Sequence, residues 1–317
     1  MKQKIAEIKV EVNDVITPLS CSSMIIEFIK YIIYQKQLIP YPYERLKMCV
    51  SERKKQLSAF QNPEEKVDNR KESLASRKYF KETTTAHDSL ENIFKIITDE
   101  LTNFTYDHLE EVVLLLGSSF TNPQDVFRIC IPRLNYAHSS KYSTRKNWRN
   151  LFRTIINSEK FNDIVCGDCC TSSMRILLKM KPTDALAKSD LIIPRAEFKL
   201  PTRGNQAVIT FCPATESEAE GTSNGLCSCG RFSIFQDGEG TPQNKAAKKC
   251  CHLSDDYSLP SSSECSSSSG SLDTLSSGPT DFGRWFQIRD TLKHFGDVTV
   301  NNISLTDLWM NPKLTAQ

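Results

Sequence analysis

YIIYQKQLIPYPYERLK, Tyr31 to Lys47, carries the chain from the apolar end of a helix through Pro40 and Pro42 into a charged helical turn. Upstream of the prolines, Ser20 to Gln37 predicts a helix. In it Tyr31, Met24, Phe28, Ile32, Ile25, Ile29, Ile33 and Ile26 fill an arc of roughly 220° at about 100° per residue. Glu27, Lys30, Tyr34 and Gln37 take the opposite strip, so the helix is largely buried. Pro40 and Pro42 are expected to stop it, because each removes a backbone donor and pushes its predecessor towards extended geometry.

The elements that would bury such a helix are legible on both sides of it. Residues 5–16 alternate Ile5, Ile8, Val10 and Val12 with polar neighbours, the pattern of a half-buried strand. Val112 to Gly117, VVLLLG, is a short unbroken apolar run ended by glycine and predicts a central strand. A second helix spans about 76–104, with Leu90, Ile93, Phe94, Ile97, Leu101 and Phe104 on one side. A third covers Arg145 to Phe161, its stripe of Leu151, Ile155, Trp148, Phe152 and Ile156 flanked by Arg149 and Arg153. Short strands are expected at 174–180, 196–200 and 206–212.

From about Ala214 the composition turns Gly-, Ser- and acid-rich, with twelve serines between Ser254 and Ser277. Such a stretch buries too little apolar surface to offset the entropy of ordering it. One islet inside it, SCGRFSIF (228–235), reads as a strand, and regular patterning returns at RWFQIRDTLKHF (284–295). The expectation is an α+β fold with three helices packed on one mixed, mostly antiparallel sheet. It forms one domain over 1–297, with flexible insertions at about 51–75 and 235–281 and a tail at 298–317.

Forty basic against 38 acidic residues leave a net charge of +2 and no basic stripe with interleaved aromatics, which argues against a nucleic-acid groove. The longest apolar run, Met24 to Ile33, contains Glu27 and Lys30 and falls short of the ~20 apolar residues a bilayer span needs. The N-terminus, MKQKIAEIKVEV, lacks the apolar core of a signal peptide. Twelve cysteines without a secretory signal point to reduced thiols.

Three arrangements invite a catalytic or metal reading. Cys169 to Arg175 matches the Cys-x5-Arg spacing of a phosphatase loop, but it has none of the glycines that let successive N–H groups face a phosphate. Cys166, Cys169, Cys227, Cys229, Cys250, Cys251 and His252 are soft ligands without the two tidy pairs of a structural zinc site. The five histidines are scattered and form no catalytic grouping. The reading is of a chain that is not an enzyme and carries no cofactor or metal.

Two residues stand out on surfaces instead. Gln35 lies inside the apolar arc of the first helix, either as a core amide bonded to backbone or on a face that a partner covers. Phe152 sits at the edge of its helix's stripe beside two arginines. It is either core packing or an aromatic anchor rimmed by cations, the composition of an interface hot spot.

YIIYQKQLIPYPYERLK resembles the end of the first helix in the comet protein family, the spindle-checkpoint adaptors that bind the mitotic-arrest-deficient-two protein. Collinear blocks follow: SRKYF (76–80), VVLLLGSSFTNPQDVF (112–127), NLFRTIINSEKF (150–161), FKLPTRGNQAVITFC (198–212), SCGRFSI (228–234) and RWFQIRDTLKHFGD (284–297). The Ser-rich insertion and the extension past Asp297 depart from the family.

The resemblance implies a HORMA-like fold with a C-terminal belt-like element. It also implies a non-enzymatic adaptor that binds the closed conformer of its partner as if forming a pseudo-symmetric dimer. Gln35 and Phe152 take the positions the family uses in that contact, with Lys36 and Arg149 beside them. Pro194 and Arg195 match the family's contact for a hexameric AAA+ ATPase, with Arg where the family pattern has Lys. The ATPase would return the partner to its open form, disassembling the mitotic checkpoint complex and silencing the checkpoint. The implied setting is nucleus and cytoplasm, with kinetochore or spindle association in mitosis. The alternative is another HORMA-domain protein, one that clasps peptides of repair or meiotic partners with its own belt.

Overall fold

A computed structural model of the chain describes residues 3–12, 16–59, 74–102, 108–135, 144–167, 173–181, 190–213, 284–300 and 302–311. The first half of the chain folds as β1 (Ile5–Val12), α1 (Pro18–Gln35), α2 (Tyr43–Ala59), α3 (Leu74–Thr102), β2 (Leu109–Leu116) and β3 (Asp125–Cys130). Then come α4 (Thr144–Asn157), α5 (Glu159–Val165), β4 (Ser173–Met180), β5 (Ile192–Pro194) and β6 (Asn205–Pro213). The C-terminal part holds β7 (Arg284–Ile288), β8 (Leu292–Lys293), β9 (Thr299–Val300), β10 (Ile303–Ser304) and α6 (Leu305–Met310). The fold is α+β, as expected, with six helices among the described residues where three were expected.

The main sheet runs β1-β6-β3-β2-β4-β7-β5, with β8 also paired to β4. β6 lies parallel to both β1 and β3, and the other pairings are antiparallel, so the sheet is mixed and mostly antiparallel. VVLLL is its middle strand. Val112, Leu114 and Leu116 face the helices, and Val113 and Leu115 face the opposite side, which is why the run does not alternate.

α1 starts in a capping box. Thr17 N–H donates to Ser20 Oγ at 2.9 Å, Ser20 N–H donates to Thr17 Oγ1 at 3.2 Å, and Pro18 opens the first turn. Met24, Ile25, Phe28, Ile29, Ile32 and Ile33 are all buried. The helix ends at Gln35, five residues before Pro40, so the prolines are not its stop. A Schellman motif ends it: Leu38 N–H donates to Ile33 O and Gln37 N–H to Tyr34 O, both at 2.9 Å, and Gln37 takes the left-handed conformation at φ +53°. With a glutamine where glycine is usual, the signal is silent in the sequence.

Three expectations are corrected. The insertion expected at about 51–75 begins as the second half of α2, and residues 60–73 lie outside the described ones. α2 has a narrow buried stripe, Tyr43, Leu46, Cys49 and Val50, in an otherwise charged sequence. The tail expected from 298 is no tail as far as 311. It supplies β9, β10 and α6, and α6 packs on α2, with Trp309 buried against Tyr79 and Phe80 and its carbonyl accepting from Gln56 Nε2 at 2.6 Å. The covering surface of α2 thus comes from some 250 residues downstream, beyond the reach of local periodicity. Residues 196–200, expected as a strand, turn back instead: Phe198 N–H donates to Arg195 O at 3.1 Å, and Phe198 and Leu200 cover the sheet's outer face.

The third helix is divided at Ser158, whose hydroxyl accepts from Phe161 N–H and caps α5. At Gly204, φ is +88° and an added Cβ would stand 2.5 Å from Pro123 O, so only glycine lets β6 start against the turn before β3. Among the described residues, no helix is long and apolar enough to cross a membrane. The 228–235 strand reading and the Ser-rich segment lie outside the described residues.

Candidate functional site

The third helix's apolar stripe is wider than the core it faces. Leu151 and Ile155 are buried, Phe152 is half-buried, and Trp148 and Ile156 are 37% and 57% exposed. Trp148, Phe152 and Ile156 stand at successive turns of α4 and form an aromatic and aliphatic strip along its outer edge. α4 packs on α1, on β1 and on α5. Across the α1 junction the Phe152 ring meets Tyr31 edge to face, with centroids 5.7 Å apart, and rests against Trp148 at 4.8 Å. Burial raises the pKa of the half-buried Tyr31 phenol, and the Cys166 thiol nearby adds to the shift.

Gln35 follows Tyr31 by one helical turn and is half-buried, so it stands on the same side of α1 as the ring that touches Phe152. Tyr34 beside it is exposed, as are Arg149 and Arg153 on α4. Just past Gln35 lies an open hollow of about 530 Å³, lined in part by Tyr34, Gln35, Gln37, Pro40, His294 and Asp297. Tyr31 and Phe152 are partly buried against the core where α1 meets α4, and the face at that junction also carries Gln35 one turn along α1 and the exposed Trp148, Arg149 and Ile156 of α4.

Lys36 does not share that face, which corrects its assignment to the contact. Its side chain is 1% exposed, and its ammonium lies 2.8 Å from Asp125 Oδ2 and donates to Ile164 O at 2.5 Å. Asp125 Oδ1 in turn accepts from Asn205 Nδ2 at 2.8 Å. The residue ties the end of α1 to β3, α5 and β6. One position further round the helix than Gln35 suffices to turn it inward.

The two tyrosines of the proline corner turn towards neighbouring elements. Tyr43 OH donates to Glu91 on α3, and the Lys30 ammonium sits over the Tyr43 ring at 4.8 Å. Tyr41 OH meets Ser304 Oγ at 2.6 Å, with the Arg45 guanidinium 4.7 Å from its ring centroid. The two tyrosines fasten the corner to α3 and to the C-terminal strap.

Pro194 and Arg195 are at the other edge of the sheet. Both are exposed at the end of β5, the strand farthest from β1 in the sheet order. Arg195 Nε and Nη2 donate to Gln287 Oε1 at 2.9 and 2.6 Å, and its guanidinium lies 5.4 Å from the Phe120 centroid. At a strand spacing of ~4.8 Å, the six steps of the path from β1 to β5 separate β5 from β1 and its covering α4 by roughly 25–30 Å.

Of the catalytic and metal readings, Cys169, Cys227, Cys229, Cys250, Cys251 and His252 lie outside the described residues. Arg175 donates to the carbonyls of Gly117 and Ser118 at 3.1 and 3.2 Å. Burial pushes the Cys21 thiol up to about 12, a packed and unreactive position. Among the described residues, no group of three or more His, Cys, Asp or Glu side chains could hold a metal ion.

An α+β domain that offers an aromatic strip between two helices has the make-up of a protein-binding domain. The family model described as "p31comet: Mad1 and Cdc20-bound-Mad2 binding" matches residues 8–224, and the chain belongs to the p31comet family. It is 23% identical over 215 residues to the human MAD2L1-binding protein, covering 68% of this chain and 67% of that protein. It is 23% identical over 193 residues to the Mus musculus MAD2L1-binding protein, covering 60% of this chain and 64% of the relative. The chain thus spans about two thirds of the length of these relatives.

Proposed function

We propose that this chain is a non-enzymatic adaptor that binds the closed conformer of Mad2 and presents it to a hexameric AAA+ ATPase. The ATPase converts Mad2 to the open form, which disassembles the mitotic checkpoint complex and silences the spindle assembly checkpoint. The observation that carries the reading is the outward strip of Trp148, Phe152 and Ile156 beside Tyr31 and Gln35, rimmed by Arg149 and Arg153. Large partly buried rings with cationic rims are what interface hot spots are made of. Family membership supplies the partner: the family's description names Mad2 binding, and the relatives bear the name MAD2L1-binding protein.

The arrangement suits an adaptor for a second reason. Pro194 and Arg195 sit at the opposite sheet edge from α4, so client and ATPase can occupy the chain together. In this reading the fold is HORMA-like, the region from β7 onward is its belt-like element, and the protein works in nucleus and cytoplasm with kinetochore or spindle association in mitosis. All chemistry belongs to the ATPase. This chain contributes differential affinity for one Mad2 conformation, the only quantity by which a binder can select between two states.

The test is capture of separately prepared open and closed Mad2 by the immobilised chain. Retention of the closed form alone supports the proposal. Equal retention of both, or of neither, overturns it.

A further inference from the structure

The outer face of the sheet carries a second, smaller apolar cluster of Val113, Leu115, Val126 and Leu177, covered by Phe120, Phe198, Leu200 and Trp285. Trp285 and Phe198 meet edge to face at 5.2 Å, and Phe198 and Phe120 at 6.5 Å. Two guanidiniums rest on the last ring of that series, Arg175 at 4.9 Å and Arg195 at 5.4 Å from the Phe120 centroid. The two cations therefore lie within roughly 10 Å of each other.

Each is held by neutral acceptors. Arg175 uses Nη1 on Gly117 O and Nη2 on Ser118 O, and Arg195 uses Nε and Nη2 on Gln287 Oε1. Gln287 is itself buried in β7. Two other cations of the same sheet are neutralised: Arg128 is paired with Glu111 at 2.5 and 3.2 Å, and Lys179 with Glu110 at 2.9 Å. Among the described residues, neither Arg175 nor Arg195 meets a carboxylate. A guanidinium has five N–H donors, and each of these two spends two on the acceptors above.

Both guanidiniums are held against one ring and add to the positive field over this edge of the sheet, so an anion that reaches either is attracted by both. The ring and the carbonyls have already restricted both side chains, so little further ordering is needed on binding. A pair of arginines is too small a footprint for a nucleic-acid backbone, which takes a stripe of cations. It fits the carboxylates of an acidic protein surface, for which the planar fork of arginine is suited.

We infer that Arg175 and Arg195, spaced by Phe120, form a two-guanidinium seat for acidic side chains of the AAA+ ATPase. This rests on the reading above that Pro194 and Arg195 face that ATPase, and adds Arg175 as a contact from a different strand. The cysteine-to-arginine spacing at 169–175 thereby gains a role for its arginine that involves no phosphatase chemistry.

The test is equilibrium binding of the hexameric ATPase to the full chain over a range of salt, for wild type, Arg175→Gln, Arg175→Met and Arg195→Gln. The Met variant keeps an aliphatic stem over Phe120 and removes the charge together with the two donors to Gly117 and Ser118. Each substitution is expected to weaken ATPase binding about tenfold and to flatten its salt dependence, with Mad2 capture by the folded protein unchanged. Wild-type affinity and salt dependence in a folded Arg175 variant, beside a weakened Arg195→Gln, overturns the paired seat and leaves the ATPase contact standing. Failure of the wild-type chain to bind the ATPase removes the reading beneath it and the inference with it.

Discussion

The ammonium of Lys36 and the carboxylate of Asp125 meet 2.8 Å apart, with 1% and none of their side-chain surfaces exposed. The pair joins the last turn of α1 to the first residue of β3, so it sets where the Gln35 end of the helix sits on the sheet. Removing one partner leaves an uncompensated charge in the interior. Lys36→Ala should lower unfolding free energy by about 3–5 kcal/mol in urea denaturation. A loss below about 1 kcal/mol, with Mad2 binding impaired instead, would restore Lys36 to the interface.

Gln37 adopts φ +53° to complete the Schellman motif, and a side chain there is disfavoured by contact with its own backbone. Gln37→Gly should stabilise the fold by about 0.5–1 kcal/mol, less than the full strain because glycine also loosens the unfolded chain. A β-branched replacement such as Gln37→Val should destabilise it. Paired thermal melts of the two variants check the sign.

Tyr43 donates to Glu91, and that bond, set against burial and helped by Lys47 at 3.0 Å, holds the Glu91 carboxyl below its usual range. A depressed native carboxyl stabilises the fold above its unfolded value, near pH ~4.3, and that contribution is lost as pH falls through the lower native value. His87, whose Nε2 lies 3.8 Å from Glu91, faces the same group. The stability gap between wild type and Tyr43→Phe should therefore be full at neutral pH and should narrow as acid takes Glu91 to its neutral form. Denaturant titrations at a series of pH values between about 6 and 3 give the comparison, and a gap that stays constant would refute the assignment.

Trp309 lies 3% exposed between α2 and α3, with the Arg53 guanidinium 5.9 Å from its ring. If residues 298–311 belong to the fold, Trp309→Ala should cost about 3–5 kcal/mol, as large-to-small changes do in cores. A melting temperature within a degree of wild type would make the segment a dispensable tail.

Much of the architecture was legible because its signals are local. The strand pattern of Ile5 to Val12, the two-sided apolar run at 112–116 and the buried arc of α1 each follow from spacing, and the sheet confirms all three. α2 escaped because its stripe is four residues wide and its cover arrives from Trp309, and the end of α1 escaped because Gln37 plays the part of a glycine. At the site, periodicity found the stripe of α4 but could not divide it. Leu151 and Ile155 turn to the core, Trp148 and Ile156 turn away, and only the placement of β1 and α1 beneath the helix separates them. Gln35 and Lys36 are adjacent in sequence, yet one is half-buried and the other sealed inside, a distinction that required the position of Asp125.

The account turns on Phe152 as the anchor of a ready-made surface. Titration of closed Mad2 into the wild-type chain and into Phe152→Ala, each shown folded by its melting curve, tests it most directly. Loss of a hot-spot phenyl ring should weaken binding by about 2 kcal/mol or more, some thirtyfold, beyond whatever stability is lost with the ring's contacts to Tyr31 and Trp148. A Phe152→Ala protein that is folded and binds closed Mad2 within about twofold of wild type would contradict the account.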